Sequence, residues 1–431
     1  MRLLLNPSPE KWKKELARPV QKTKEINKIV KPILIKVQKN GDKALRKFAQ
    51  EYDHVQLESL LVTSEEIQTA RESVSQELIE AIAVAKTNIE RFHAAQRTPE
   101  LIEEVMPGVV CRRKNVAIQR VGLYIPGGTA PLFSTVLMLG IPAQLAGCKE
   151  IILCTPPNRE GKVHPAILYT AHLIGITKII KVGGAQAIAA LTFGTETVPQ
   201  VDKIFGPGNQ YVTAAKQLAT KYGVAIDMPA GPSELLVYAD ETAIPAFVAS
   251  DLLSQAEHGV DSQVVLVTPS EKFAKKVLKE INEQLEQLPR KDVAFKALQN
   301  STAVVMENEE KALELINEYA PEHLIIAVEK EEAAVDAIYN AGSVFIGNYT
   351  PESAGDYASG TNHTLPTYGY ARNYSGVSLD SFVKKITYQK ISSEGLKKLG
   401  PVVEVMAANE LLEAHKNAVT IRLNYLKGKK K

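Results

Sequence analysis

From Val116 onward, short apolar runs alternate with longer amphipathic stretches through glycine-bearing turns. VAIQRVGLYIP, IILCTPP, KIIKVGG and DKIFGPG have the length and bounds of buried strands. The segments between them read as helices. A turn-rich loop, Pro229-Ala230-Gly231-Pro232-Ser233-Glu234, then leads into the short apolar run Leu235–Ala239, and a second array follows: SQVVLVTP, TAVVME, HLIIAVE and SVFIGN, again with helices between. Strands alternating with helices in this way build parallel sheets with crossover helices. The pattern therefore predicts an α/β protein with two Rossmann-like βα domains and parallel-type sheets, plus helical N-terminal and C-terminal extensions.

Within the extensions, Ser8-Pro9 reads as a helix start, and Lys22 to Glu51 as a long charged helix interrupted by Pro32 and Asn40-Gly41. Ser64 is the expected N-cap of a further helix, and Ala407 to Lys427 is expected to form one late amphipathic helix. Between the two arrays, Ile244 to His258 has helical spacing, which puts Gln255 and His258 on one face of its last turn.

Composition narrows the function classes. The 431 residues carry 51 basic and 49 acidic side chains, a net charge of +2, so nothing favours nucleic acid or an anionic membrane. Three cysteines, Cys111, Cys148 and Cys154, form neither a disulfide framework nor a CxxC pair. No apolar run approaches a membrane span and Leu3-Leu4-Leu5 is too short for a signal core, so a cytoplasmic protein is expected.

Candidate chemistry gathers beyond residue 250. Gln255 with His258, Glu322 with His323, Asp356 with His363, and Glu410 with His415 pair imidazoles with carboxylates or an amide. Gln255, His258, Asp356 and His415 make a mixed nitrogen and oxygen donor set that suits Zn²⁺ or Mn²⁺. Glu322-His323 follows Pro321, which ends the preceding helix, so the pair is expected in an exposed loop before a strand, suited to moving protons. His54, His93, His164 and His172 read as surface or satisfied core imidazoles. The fingerprint GxGxxG is missing, but Gly127-Gly128, Gly183-Gly184 and Gly206/Gly208 all fall in strand-to-helix loops. Those loops are either tight turns or a shared seat for a nucleotide or other anion.

The run from Ile226 to Glu234, continued by Ser254-Gln255-Ala256-Glu257-His258, closely resembles the signature of the histidinol dehydrogenase family. VGLYIPGG at 121–128, GGAQAIAAL at 183–191, FGPGN at 205–209, APEHL at 320–324 and GDYASGTNHTLPT at 355–367 extend the resemblance over most of the chain. It implies oxidation of L-histidinol to L-histidine through L-histidinaldehyde, with two NAD⁺ reduced, as the last step of histidine biosynthesis. It further implies one Zn²⁺ per subunit on Gln255, His258, Asp356 and His415, with His415 lent by the other subunit of a homodimer. Glu322 and His323 then match the acid/base residues, Ser233, His363 and Glu410 substrate-binding positions, and Tyr124, Gln186 and Asn209 positions that contact NAD. Substrate contact extends to Gln255, His258, His323, Asp356 and His415.

The expected organisation is a helical segment at 1–22 and a discontinuous α/β domain of 23–120 plus 233–377 with the metal and catalytic residues. An NAD-binding domain at 121–232 and a tail at 378–431, docked on the partner subunit, complete it. A paralogous zinc/NAD alcohol dehydrogenase acting on another polar alcohol is the near alternative, and a metal-dependent hydrolase with Glu322 as base the distant one.

Overall fold

The strand Glu234–Ala239 is buried at every position because it is paired on both sides and covered on both faces. It sits inside a six-stranded, wholly parallel sheet whose order is Arg2–Leu5, Thr302–Val305, Gln263–Thr268, Glu234–Ala239, His323–Ala327, Ser343–Ile346. A second parallel sheet of five strands runs Lys178–Lys181, Glu150–Thr155, Arg120–Tyr124, Lys203–Phe205, Ala225–Ile226. The structure, a computed structural model, describes residues 1–19, 23–127, 130–229 and 231–428. Gly128 and Ala230, both part of loops singled out in the sequence, lie outside the described residues.

Contacts divide the chain into two compact units. The first, Met1–Gln96 with Ile118–Phe382, holds both parallel sheets. The second, Arg97–Ala117 with Val383–Lys431, holds a three-stranded antiparallel sheet, Val383–Ile391, Val109–Ala117, Leu101–Met106, and the helices Ser393–Asn409 and Glu413–Gly428.

Several sequence expectations change here. The first residues are not wholly helical: Arg2–Leu5 is an edge strand of the six-stranded sheet, and the helix Pro9–Glu15 follows it. The helices of residues 23–94 bury their apolar faces mainly against the five-stranded sheet and its helices. Val30, Leu34 and Leu45 pack with Ile152, Ile188 and Ile204, while Ile82 and Ile89 pack with Val136 and Val121. The antiparallel sheet had no apolar periodicity to betray it, since Val383–Ile391 is largely exposed along its length. The single late helix is two helices, broken at Glu410 to Leu412.

Local rules explain most ends. Thr63, one residue before the expected cap, closes a reciprocal capping box with Glu66. The long helix Thr23–Phe48 tolerates Pro32 but departs from helical geometry at Gly41, where φ is 49°. Pro321 ends the helix Glu309–Tyr319, and Ala320 adopts the left-handed conformation at φ 51°. Among the described residues no helix is long and apolar enough to cross a membrane.

One buried ion pair fixes the loop at 206–208. Lys216 Nζ lies 2.5 Å from Asp227 Oδ1 and donates to the Gly206 carbonyl at 2.6 Å, while Gly206 N donates to Asp227 Oδ2 at 2.8 Å. Gly206 sits at φ 131°, and a Cβ there would come within 2.1 Å of the Tyr124 carbonyl oxygen, so no other residue fits. Replacing Lys216 with Met is expected to cost about 3–5 kcal/mol, because Asp227 is left charged and buried. Urea unfolding of the variant beside the parent measures it.

Candidate active site

The amino edge of the six-stranded sheet is where the polar residues meet. His323 is the first residue of its strand and is in register with Leu235 and Ser343 on the flanking strands. Glu322 precedes it directly. The expectation of an exposed loop is overturned: Glu322 is 5% and His323 3% exposed, because central strands of a covered parallel sheet begin inside the protein. Gln255 lies in the last turn of the helix Pro245–Ala256, whereas His258 lies past its end and is exposed. Asp356 comes from the short helix Glu352–Tyr357, whose first residue, Glu352, points into the same cluster.

The contacts are specific. Glu234 donates its backbone N–H to Glu322 Oε2 at 2.8 Å, and its carbonyl lies 3.2 Å from His323 Nδ1. The Gln255 amide also lies 3.2 Å from Nδ1. Glu322 Oε2 and Glu352 Oε1 are each 3.7 Å from Nδ1, and Asp356 Oδ1 is 3.5 Å from Nε2. His363, on the loop after Asp356, is 2.8 Å from the Asp356 carbonyl through Nδ1. Its Nε2 is 3.1 Å from Thr135 Oγ1, in the first turn of the helix Phe133–Ala146 that follows the five-stranded sheet.

Carboxylates outnumber cations at this edge, and the proton equilibria show it. Burial pushes Glu322 up to about 8, against the pull of His323 and the Glu234 N–H. Glu352 is likewise pushed to about 8 by burial, with Asp356 and Glu322 adding to the shift. Burial alone would lower His323, but Glu352, Glu322 and Asp356 outweigh it and raise it to about 10. In that charged form the ring donates from Nδ1 to the Glu234 carbonyl and points Nε2–H toward Asp356. His258 moves the other way: its ring reaches solvent, yet the protein around it desolvates it enough to lower its pKa.

A divalent cation fits the donor atoms present. One ligand atom each from His258, Glu352 and Asp356 lies within 4.8 Å of the others. Glu352 Oε2 and His323 Nε2 are buried and carry no hydrogen bond. Imidazole with carboxylate oxygens is a set suited to Zn²⁺ or Mn²⁺, and a cation's charge would offset the crowded carboxylates. Glu352 went unnoticed in the sequence, where it is one glutamate among many; its place after Pro351 at a helix start, four residues before Asp356, was the available signal.

The other expected residues divide between two places. Ser233, half-buried, sits immediately before Glu234. Tyr124, Gln186 and Asn209 line one cavity of about 1230 Å³ at the carboxyl edge of the five-stranded sheet. The three glycine loops do share that edge. Gly184 N donates to the Tyr124 hydroxyl at 3.0 Å, and Asn209 caps the helix Gln210–Ala219 through Tyr211 N and Val212 N. The N-termini of three helices, beginning at Pro165, Gly184 and Gln210, therefore lie at the cavity, an arrangement that favours phosphate. Asp53 and His54 line it too, from the end of a helix the sequence left without chemistry. Glu410 and His415 lie in the second unit, exposed, at the end of one helix and in the first turn of the next. The cluster in the first unit is assembled without them.

Of the remaining histidines, His93 is a satisfied core residue, its Nδ1 2.8 Å from the Ile89 carbonyl, and His164 caps a helix through Ala166 N.

Comparison with known proteins adds the family. A family described as "Histidinol dehydrogenase" matches residues 16–423. The histidinol dehydrogenase of Bacteroides thetaiotaomicron is 59% identical over 99% of this chain and 100% of its own length. That of Escherichia coli K12 is 52% identical over 97% of this chain and 96% of its own. The crystal structure of histidinol dehydrogenase from Elizabethkingia anophelis superposes with a TM-score of 0.97, at 57% identity and with 99% of each chain covered.

Replacing Glu352 with Gln removes the carboxylate that raises His323 most, so His323 is expected to titrate lower by about one to three pH units. Imidazole ¹⁵N shifts of the metal-free protein read it; an unmoved titration would show that Glu352 does not govern the ring.

Proposed function

The chain belongs to the histidinol dehydrogenase family, and from that premise we propose that it oxidises L-histidinol to L-histidine in two NAD-dependent steps at the amino edge of its six-stranded sheet. The supporting observation is the juxtaposition of buried Glu322 and His323 with Asp356, Gln255 and the exposed His258.

Gln255, His258, Asp356 and His415 of the partner subunit are the residues that would hold Zn²⁺, with Glu352 beside them. When bound, that ion supplies a positive charge that polarises the substrate alcohol and holds its imidazole and amine in place. Tyr124, Gln186 and Asn209 are the residues that would seat NAD⁺, which would supply a hydride acceptor for each oxidation. Once its Nε2 proton is lost, neutral His323, held through Nδ1 by the Glu234 carbonyl, takes the alcohol proton at Nε2. Glu322, close behind, takes a proton from the water that adds to the aldehyde carbon; the resulting hydrate loses the second hydride and a proton to become the acid. Ser233, His363 and Glu410 orient the substrate, His363 through its bridge between Thr135 and the Asp356 carbonyl.

A homodimer follows from the same reading. The second unit exposes Val405 at 64%, Met406 at 60% and Leu411 at 86%, an apolar surface suited to covering by another copy. Three free cysteines, two of them buried, suit a reducing cytosol.

The purified protein is expected to form two NADH per L-histidinol consumed, with histidine as product. Glu322→Gln should slow oxidation of the aldehyde by about 100-fold while sparing that of the alcohol; equal losses in both would overturn the division of roles. Asp356→Ala should release the metal, read by elemental analysis of the dialysed protein, with a loss of affinity of about 100-fold or more; full metal content in the variant would remove Asp356 from the ligand set.

A further inference from the structure

We propose that Arg18 is a positioning residue for the Glu322–His323 pair, acting through Glu234. The inference rests on the reading of that pair as the acid/base machinery.

Glu234 is joined at both its ends. Its side chain, 2% exposed, takes a forked pair of bonds from Arg18: Nε to Oε1 at 2.5 Å and Nη2 to Oε2 at 2.7 Å. Oε1 also accepts from Tyr368 N at 2.7 Å. Its main chain meets both reacting residues, donating to Glu322 Oε2 and accepting at the carbonyl from His323 Nδ1. A shift of this one residue therefore displaces both groups together.

Arg18 is itself held in place. Its guanidinium lies 4.0 Å over the Tyr319 ring, and Nη2 donates to the Tyr319 carbonyl at 2.7 Å. Tyr319 in turn bonds Gln263, the first residue of the adjacent strand, through its hydroxyl at 2.9 Å. The brace thus runs from the segment after the first helix to the amino edge of the sheet. Stability alone is a weak reason for such a pair, since a buried ion pair often contributes no more than apolar residues of the same volume. Its geometry has a sharper consequence: near the reacting atoms a displacement of about 1 Å can cost about 100-fold in rate.

The test uses the full-length, zinc-loaded enzyme and the variants Arg18→Met, Arg18→Lys, Arg18→Ala and His323→Asn. Arg18→Met is expected to lower kcat about 100-fold with KM for histidinol and NAD⁺ within about threefold of the parent. Arg18→Lys, which keeps charge but loses the fork, should recover only part of the rate, about 10-fold. Methylguanidinium added to Arg18→Ala should restore kcat saturably, whereas methylammonium should not. A kcat within about threefold of the parent in Arg18→Met would overturn the proposal. So would a deficit that vanishes when variant and parent are compared at equal distance below their melting temperatures. An active His323→Asn would refute the acid/base reading itself; an inactive His323→Asn beside a fully active Arg18→Met would refute only the role of Arg18.

Discussion

A carboxylate buried at the start of a central strand would be intolerable without a partner, and Glu234 has three kinds. The Arg18 fork neutralises its charge, the Tyr368 amide uses a remaining lone pair, and its own backbone groups are taken up by Glu322 and His323. Segments near residues 18, 234, 322 and 368 are brought to one point by this residue. The loop carrying Asp356 and His363 is fixed further by Asn362, which donates to the Met138 carbonyl at 2.6 Å, and by Gly231 N, which donates to Thr367 Oγ1.

Two parallel sheets supply two different edges. The cavity with Tyr124, Gln186 and Asn209 lies at a carboxyl edge, where strand-to-helix loops expose helix N-termini and where open α/β sheets usually bind ligands. The Glu322–His323 cluster lies at an amino edge, an unusual place for a ligand, because its residues begin strands instead of ending them. The Thr135–His363 contact joins the helix leaving the first edge to the loop completing the second. The chain passes between the two sheets twice, from Leu5 to Arg120 and from Ile226 to Glu234.

The electrostatics of the cluster follow from burial. Three carboxylates, Glu322, Glu352 and Asp356, surround one imidazole: burial pushes both glutamates up to about 8, and the negative charge of the ionised cluster raises His323. All three shifts are upward, and a cation beside Asp356 would oppose them by favouring the ionised carboxylates and the neutral imidazole.

Much of this was legible in the chain itself. Buried parallel strands demand unbroken apolar runs, so Leu235–Ala239, the 263–268 run and the βα alternation after Val116 mark both parallel sheets in the sequence. Motifs such as APEHL and GDYASGTNHTLPT carried the family and its activity. Proline chemistry at Pro321 placed the end of a helix correctly. What the sequence left undecided depended on contacts between distant segments. Exposed strands such as Val383–Ile391 have no apolar period to read, and the burial of His323 arises from distant neighbours such as Glu234, 89 residues upstream, and Gln255, 68 upstream. Glu352 and Arg18 look like ordinary surface charges along the chain, since a single charged residue has no pattern. Only tertiary packing, which desolvates them and supplies their partners, turned one into a member of the cluster and the other into the counter-ion of Glu234.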